Sequence, residues 1–593
     1  MMEKIVRIGG ACAFIGDSVL GPRQLSQVDG MHYLVFDYLA EMTLSSFAND
    51  KKKTPDGGYA RDFVDVTLRD VLSTCLSRGI RLVSNAGGLN PQACAQAVQA
   101  LAQELGLQPQ VAYIDGDDCL DMVDALRSEQ IRDFYDKSLM PNGIDSANAY
   151  LGAPAIAQAL DLGADIVITG RIVDSAATLG ILMHEFGWRD DDWDHLAAGS
   201  LAGHILECGA QATGGIFTDW REVPDWESIG YPYLECRSNG EFTVHKPSGS
   251  GGLLTTRTVS EQILYEVGDP TRYVLPDVVC DFTAVEVRQL AEHCVLVRGA
   301  KGLPAPSTYK ISATYLDGYR TIVQLSIFGL EAVDKARRTG QALLQRVRSL
   351  LAEAGHDDFD KTSVHVLGAE DSYGPHAIHN HGREAIARVA AVHAQALPLR
   401  ILAREARAAG VSFAPGTTSG SALNLNSQAA VEPRYRLFSC LLEKSRLPFP
   451  QVVMHGKRTQ VSIRQSARET AHPTPSDWRG PCAPAPQTHR QVPLVMLAHG
   501  RSGDKGDTSN IAIIARHPEH LPILRRELTP EKVKTYLSHL VLGEVNCYEV
   551  PGLHALNFVL LQAQDGGGPS SLRPDPMGKG FAQMLLGMPV HAD

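Results

Sequence analysis

The chain has 593 residues, more than one hydrophobic core usually supports, so two or three domains are expected. It is 44% hydrophobic and 21% charged, which is typical of a globular protein that folds without disulfides or metals. A formal net charge of −12, with no Lys/Arg-rich stripe, argues against nucleic acid or anionic lipid as a partner.

The amino terminus carries no pattern of an export signal. A strand-like run at Ile5–Ile8 begins almost at once, without a basic and apolar leader before it. No apolar stretch approaches the roughly 20 residues that cross a bilayer. The eleven cysteines are scattered singly, without zinc-site spacing, and indicate reduced core residues. These features predict a cytoplasmic protein that is not embedded in a membrane.

The first three hundred residues repeat a short aliphatic run, a Gly/Asp/Asn-rich turn and an amphipathic helical stretch. This rhythm predicts an α/β domain with a large, doubly wound, mostly parallel sheet. Ligands bind such sheets at the carboxyl ends of the strands. We therefore expect the site on the turns after five predicted strands, at residues 5–8, 33–36, 81–84, 111–114 and 166–169.

A β-β-α-β pattern follows and predicts an α+β subdomain over residues 300–463, within an amino-terminal domain of residues 4–463. Its first two strands are predicted over Tyr309–Tyr315 and Arg320–Phe328, with a turn at Asp317-Gly318 between them.

Two further segments complete the chain. Residues 464–491 repeat proline without a hydrophobic period, which predicts a semi-rigid linker. Short strands around one or two helices over 492–591 predict a small ferredoxin-like α+β domain.

The turn after the third predicted strand could bind an anion. Asn85, Gly87 and Gly88 precede a helix that begins near Pro91, so backbone N–H groups and the helix dipole favour a phosphate or carboxylate there. A tight turn capped by Asn85 explains the same residues equally well.

Arg171 and Asp174 follow the last of these strands. Arg171 could bind a substrate carboxylate through two hydrogen bonds, while Asp174 caps the next helix or acts as a base. An internal Arg–Asp pair is the alternative.

His204, Glu207 and Cys208 have the spacing of one helical face. A carboxylate can hold a histidine in one tautomer as a general base, and a histidine can activate a thiol. A capped helix end with an inert, buried Cys208 is the alternative.

Two patterns contain residue types that can bind metal ions. The turn Asp115-Gly116-Asp117-Asp118 offers too few oxygens for magnesium, and a solvated turn explains it better. His376, His379 and His381 match no familiar zinc spacing. No metal ligands are therefore assigned, although a divalent metal stays compatible with the sequence.

The segment His499–Asn510 is predicted as a loop crowded with glycines and charges. Arg501, Ser502 and Lys505 could bind an anion over the site of the first domain. A self-paired surface turn is the alternative.

Taken together, the long motifs of this chain resemble the acyclic terpene utilisation (AtuA) family nearly end to end. They are GRIVDSA, GHILECGAQATGG, TVSEQILYEVGDP, LPDVVCDF and, after the linker, HGRSGDKGDTSNIAIIAR. The resemblance implies an AtuA domain over about 4–463 and a ferredoxin-like domain over about 490–591.

The resemblance implies a role in citronellol and geraniol breakdown, with cleavage of a 3-hydroxy-3-isohexenylglutaryl-CoA as the suggested reaction. We accordingly expect a lyase or hydratase whose small-molecule substrate includes CoA, with His204 or Asp174 as base, Arg171 as carboxylate clamp and Gly87 and Gly88 as anion cradle. On this basis Arg171→Ala should abolish turnover and leave the fold intact. The alternatives are a non-catalytic acyl-CoA-binding scaffold or partner subunit and, less strongly, a metal-dependent hydrolase. A homo-oligomer is compatible with the sequence, but no segment specifies its interface.

Overall fold

The computed structural model describes residues 4–40, 42–418, 431–463, 482–484 and 490–592. The predicted linker therefore lies largely outside the described residues. The elements up to the end of the first domain's long helices are β1 (Ile5–Cys12), α1 (Leu20–Ser26), β2 (Tyr33–Phe36), α2 (Thr43–Lys53), α3 (Arg69–Ser77), β3 (Arg81–Ser84), α4 (Pro91–Glu104), β4 (Val111–Asp115), α5 (Val123–Ser128), β5 (Ile144–Ala149), α6 (Pro154–Asp161), β6 (Ile166–Ile168), α7 (Ala176–Phe186) and α8 (Trp193–Glu207).

Strands of 2 to 21 residues and three further α-helices follow in the described residues up to 460. They are β7 (Tyr233–Arg237), β8 (Phe242–His245), α9 (Thr256–Ile263), β9 (Tyr273–Val274), β10 (Val279–Asp281), β11 (Glu286–Ala291), β12 (Cys294–Arg298), β13 (Lys301–Leu303), β14 (Thr308–Phe328), α10 (Ala332–Glu353), β15 (Lys361–Leu367), β16 (Glu384–His393), α11 (Ala396–Ser412), β17 (Thr417–Thr418), β18 (Val431–Glu443), β19 (Gln451–Met454) and β20 (Lys457–Gln460).

The carboxyl-terminal part contains β21 (Gln491–Pro493), β22 (Ala498–Lys505), β23 (Thr508–Ala515), α12 (Leu521–Glu527), α13 (Pro530–Tyr536), β24 (Val545–Val550), β25 (Ala555–Leu560), α14 (Phe581–Leu586) and β26 (Pro589–His591). In the described part of the chain, no helix combines the length and apolar character needed to cross a bilayer.

The large sheet has a parallel centre and antiparallel margins. Among the described residues its strands run β11-β12-β8-β7-β1-β2-β3-β6-β4-β19-β20. The five predicted strands are β1, β2, β3, β6 and β4, and they pair in parallel. The neighbours on either side, β7 and β19, are antiparallel. The α/β class is confirmed, and among the described strands of this sheet the parallel pairs join these five.

Both faces of the central strands are buried, which explains their continuous aliphatic runs. Successive side chains alternate between the two faces, so Val83 joins the core under α6, α7 and α8 while Leu82 joins the core under α1 to α4. Helices therefore cover both faces, and the carboxyl ends of the parallel strands meet at one edge.

A second, antiparallel sheet is built around β14, which pairs with β5, β16, β17 and β18. The predicted turn at Asp317-Gly318 is wrong, because β14 continues through it as one strand of 21 residues. The pairing with β18 shifts register between Leu316 and Tyr319, and Gly318 adopts a positive φ of 82°. A bulge in a paired strand thus explains the Asp-Gly signal.

The carboxyl-terminal domain is ferredoxin-like, with the antiparallel order β22-β23-β25-β24 covered by α12, α13 and α14. The predicted loop at His499–Asn510 is wrong as secondary structure, because β22 and β23 form a hairpin there. Because β22 is rich in polar residues, the sequence did not indicate a strand there, although this strand packs against the first domain.

Candidate active site

Polar side chains from several elements meet at the carboxyl edge of the parallel strands. Asp37 follows β2, Asn85 follows β3, and Arg171 and Asp174 follow β6. The last turn of α8 brings Glu207 to the same place. The structure therefore brings together residues from three predicted turns and from the predicted helical trio.

These groups surround a small internal cavity of about 10 Å³. This volume admits about one water-sized oxygen atom. Three carboxyl groups face it, and the remaining lining is mostly apolar. The lining residues are Cys12, Val35, Phe36, Asp37, Asn85, Ile172, Asp174, Ala177, Thr178, Gly203 and Glu207.

Asp37 was not predicted as a site residue. Its Oδ1 accepts hydrogen bonds from Asn85 Nδ2 at 2.7 Å and from the Leu39 N–H at 3.1 Å. Burial, together with the negative charge of Asp174, raises the pKa of Asp37 to about 8, although Arg171 and Asn85 oppose the shift. Asp37 can therefore carry a proton at neutral pH. Its place directly after a buried strand was the available signal in the sequence.

Arg171 is buried, with only 2% of its surface exposed. Its Nη1 donates to the Leu39 carbonyl at 2.9 Å, and its Nη2 lies 3.0 Å from Asp174 Oδ1. The guanidinium stacks 4.0 Å from the ring centroid of Tyr150. Burial opposes its charge, but Tyr150, Asp174 and Asp37 together raise the pKa of Arg171. Arg171 thus organises the carboxylates from within and presents no open clamp to a substrate.

His204 and Glu207 form a buried pair at the end of α8. His204 Nε2 donates to the Ile263 carbonyl at 3.2 Å, and its Nδ1 lies 3.0 Å from Glu207 Oε1. Burial raises the pKa of Glu207. Burial also works against charge on His204, but the adjacent Glu207 outweighs it and raises the pKa of His204. With Nε2 donating to Ile263, Nδ1 faces Glu207, and the raised pKa values of both groups favour a proton held by the pair.

Cys208 follows this pair at the end of the helix. Burial, and then the charges of Glu207 and Glu266, raise the pKa of its thiol well above the ordinary value. His204 contacts Glu207 and Ile263, as described above, and does not activate the thiol. These surroundings favour the inert-cysteine alternative.

The glycines of the predicted anion cradle are needed for packing. A Cβ on Gly87 would lie 2.5 Å from the Thr169 carbonyl oxygen. A Cβ on Gly88 would lie 2.4 Å from the ring of Phe47, and this residue has a positive φ of 53°. Of the three residues predicted in this turn, Asn85 lines the cavity.

The interpretation of residues 115–118 as a solvated turn is wrong for Asp117, because its side chain is buried. It accepts hydrogen bonds from the Arg171 N–H at 2.9 Å and from Asn148 Nδ2 at 2.8 Å. Burial raises the pKa of Asp117 to about 7 against these bonds. Asp117 therefore fixes the backbone that carries Arg171.

The three predicted residues of the carboxyl-terminal domain lie at its contact with the first domain. Arg501 is buried, 3.3 Å from Glu261 Oε2, and donates to Gln262 Oε1 at 3.0 Å. Lys505 Nζ lies 2.5 Å from Glu266 Oε2. Ser502 donates within its own domain, to the Gly578 carbonyl at 2.6 Å. Arg501 and Ser502 are therefore committed to protein contacts.

His376, one of the three histidines without a familiar zinc spacing, has protein partners. His376 stacks on the ring of Tyr536, with centroids 3.9 Å apart, and its Nε2 hydrogen-bonds the Tyr536 carbonyl. In the described ranges, no group of three or more His, Cys, Asp or Glu side chains is arranged to hold a metal ion.

The fold and the site define an α/β protein with a buried carboxyl cluster at the edge of its parallel strands, joined to a ferredoxin-like domain. Residues 6–453 match the family described as acyclic terpene utilisation family protein AtuA, and residues 492–591 match the AtuA ferredoxin-like domain. The chain therefore belongs to the AtuA family, whose members are involved in acyclic terpene utilisation. No curated protein and no solved structure matches the chain.

Proposed function

We propose that the protein is an acid–base enzyme of acyclic terpene breakdown, a lyase or hydratase that acts on the hydroxyl group of a branched, CoA-linked hydroxy acid. The observation that carries this proposal is the single-oxygen cavity between Asp37, Asp174 and Glu207. A cavity of this size suits the oxygen of a water molecule or of a substrate hydroxyl group. Because CoA thioesters are intracellular metabolites, the proposal places the enzyme in the cytoplasm.

The two aspartates have the different surroundings that paired acid–base chemistry needs. Asp174 lies 3.0 Å from the Arg171 guanidinium, and we assign it the role of base. Asp37 has a pKa of about 8 and suits an acid that holds its proton at neutral pH. Neighbouring carboxyl groups with such opposed surroundings are a signature of functional sites.

In a lyase reaction Asp174 would accept the proton of the tertiary hydroxyl group as that oxygen becomes a carbonyl. The adjacent carbon–carbon bond breaks, and its electron pair passes to the departing carbon. Asp37 would donate a proton to that carbon. In a hydratase reaction the same pair would remove one proton from water and deliver one to carbon. One proton is taken and one given in each case, so no redox cofactor is required.

The His204–Glu207 pair supports this assignment as a proton reserve. Glu207 lines the cavity, and its partner His204 is buried behind it. After turnover Asp37 lacks a proton and Asp174 carries an extra one, so the pair could pass its proton to Asp37 and take up the proton of Asp174.

The experiment is turnover of a panel of branched 3-hydroxyacyl-CoA thioesters by the purified full chain. Mass spectrometry separates the outcomes, because a lyase shortens the acyl group and a hydratase removes or adds one water. Asp37→Asn and Asp174→Asn should each lose at least about 100-fold in kcat, whereas exposed Asp121→Asn should not. Binding of an acyl-CoA without turnover by the wild type would favour the scaffold alternative.

A further inference from the structure

Lys579, in the carboxyl-terminal domain, has an ammonium group whose contacts are incomplete. Its Nζ lies 3.6 Å from Glu266 Oε1 and 4.2 Å from the ring centroid of Tyr265, both in the first domain. Within the part of the chain that the structure describes, this ammonium donates no hydrogen bond. Partial burial lowers the pKa of Lys579, and 34% of its side chain stays exposed, so an anion from solution can reach the ammonium group.

The backbone on both sides of Lys579 is fixed. Asp575 accepts the N–H groups of Lys579 at 3.1 Å and of Gly580 at 2.8 Å. Ser502 Oγ lies within hydrogen-bond distance of two carbonyl oxygens, 2.6 Å from Gly578 and 3.2 Å from Lys579. A turn tied down by two side chains presents the lysine in one place. Ser502, predicted from the sequence to contact an anion, instead positions the cation.

The two partners of Lys579, Tyr265 and Glu266, follow Ile263, whose carbonyl accepts a hydrogen bond from His204 at the end of α8. Its charge acts on the thiol of Cys208, the residue after Glu207. Lys505, from the same domain, is paired with the other oxygen of Glu266, and its charge acts on His204 and Glu207. Two ammonium groups of one domain thus share a single carboxylate of the other.

We propose that Lys579 and Lys505 form an anion subsite at the domain boundary, where the carboxyl-terminal domain binds an anionic oxygen group of the substrate. The proposal rests on the proposed function only for the identity of that substrate. The cavity itself is lined by three carboxyl groups and repels an anion, so a charged group of the substrate must bind outside it. Either a free carboxylate or a phosphate of CoA has the required chemistry.

Titration calorimetry of the full chain with glutarate and, separately, with coenzyme A tests the subsite. Binding of one probe should weaken about tenfold in Lys579→Gln and recover in Lys579→Arg, which keeps the charge. Exposed Lys534→Gln should bind like the wild type. Loss with glutarate alone identifies a carboxylate, and loss with coenzyme A alone identifies a phosphate. Equal affinity of the wild type and Lys579→Gln for both probes, or binding of neither, would overturn the subsite.

Competitive lysine acetylation, read by peptide mass spectrometry, supplies a second measurement that needs no turnover. The bound probe should slow acetylation of Lys579 and leave that of Lys534 unchanged. Acetylation of Lys579 at the same rate with and without both probes would also overturn the subsite. Because neither measurement uses catalysis, a bound probe on an inactive protein would sink the proposed reaction and leave the subsite standing.

Discussion

Asp37 and Asp174 face one cavity but have different partners, and the proposed chemistry depends on this difference. Asp37 accepts hydrogen bonds from neutral groups, while Asp174 lies 3.0 Å from a buried guanidinium. Burial in such surroundings raises the pKa of Asp37 to about 8. A buried carboxyl group with a raised pKa destabilises the folded protein at high pH. Such a cost is typical of groups that are retained for function.

Replacing Asp37 by Asn should therefore stabilise the protein at pH 8 while abolishing turnover. The folded protein keeps this proton up to about pH 8, but the unfolded chain loses it above roughly pH 4, so the Asp37 contribution to stability falls as pH rises between these values. Asn carries no charge and removes that penalty. Thermal unfolding at pH 5 and pH 8 measures it, and a Tm gain of a few degrees at the higher pH only is expected. A lower Tm at pH 8 would contradict the assignment.

Arg171→Ala should unfold the protein, contrary to the expectation from sequence that the fold would survive. The substitution leaves Asp37 and Asp174 without their cation and empties the space over Tyr150. Removal of one partner from a buried ion pair costs about 3–5 kcal/mol. Denaturant unfolding checks this, with the exposed Arg189→Ala as control. Wild-type stability of Arg171→Ala would return Arg171 to the role of an open substrate clamp.

At the scale of elements, α8 packs tightly on the loop that carries Arg171 and Asp174. A Cβ on Gly203 would lie 2.6 Å from the Ser175 carbonyl oxygen, whereas one on Gly199 would meet the side-chain end of Leu179 at 2.7 Å. The Ser175 backbone cannot move away from an added methyl group as readily as the end of the Leu179 side chain can. Gly203 also lines the cavity.

Gly203→Ala should consequently move α8 away from the site, costing about 1–3 kcal/mol of stability and most of the activity. Gly199→Ala, in the same helix, should cost less and keep the activity. Denaturant unfolding and turnover of both variants check the pair. Equal activity in the two variants would show that the Gly203 contact does not determine the shape of the cavity.

Some secondary-structure elements and site residues could be predicted from the sequence alone, and others could not. The five parallel strands were predictable because continuous aliphatic runs end in turn residues, and so were Asn85, Arg171, Asp174, His204 and Glu207 as polar groups near the site. The bulge at Gly318 and the hairpin of β22 and β23 were not, because their polar residues are explained only by partners distant in sequence. Asp37 and Lys579 were missed for the same reason: their pKa shifts arise from tertiary burial.

At the scale of the whole molecule, the two domains share a buried polar interface. Glu261 lies 3.0 Å from His499 Nδ1 and 3.3 Å from Arg501 Nη2, and all three side chains are buried. Gln262, which accepts from Arg501, also donates to the His204 carbonyl at 3.2 Å. The carboxyl-terminal domain is thus connected to α8, the helix that carries His204 and Glu207.

This interface should couple the unfolding of the two domains. Scanning calorimetry of the wild type should give one transition, and Glu261→Ala should give two, because the variant leaves Arg501 buried without its carboxylate. The exposed Glu353→Ala on α10 is the control. A single, unshifted transition in Glu261→Ala would mean that the network does not join the domains.

Turnover in deuterated water tests whether Asp37 delivers a proton to carbon. Wild-type protein, given a branched 3-hydroxyacyl-CoA that it turns over, should place one deuterium on the carbon that receives the proton. Asp37→Asn should form this labelled product at least about 100-fold more slowly. Product formed at the wild-type rate by Asp37→Asn, or product without deuterium, would contradict the account.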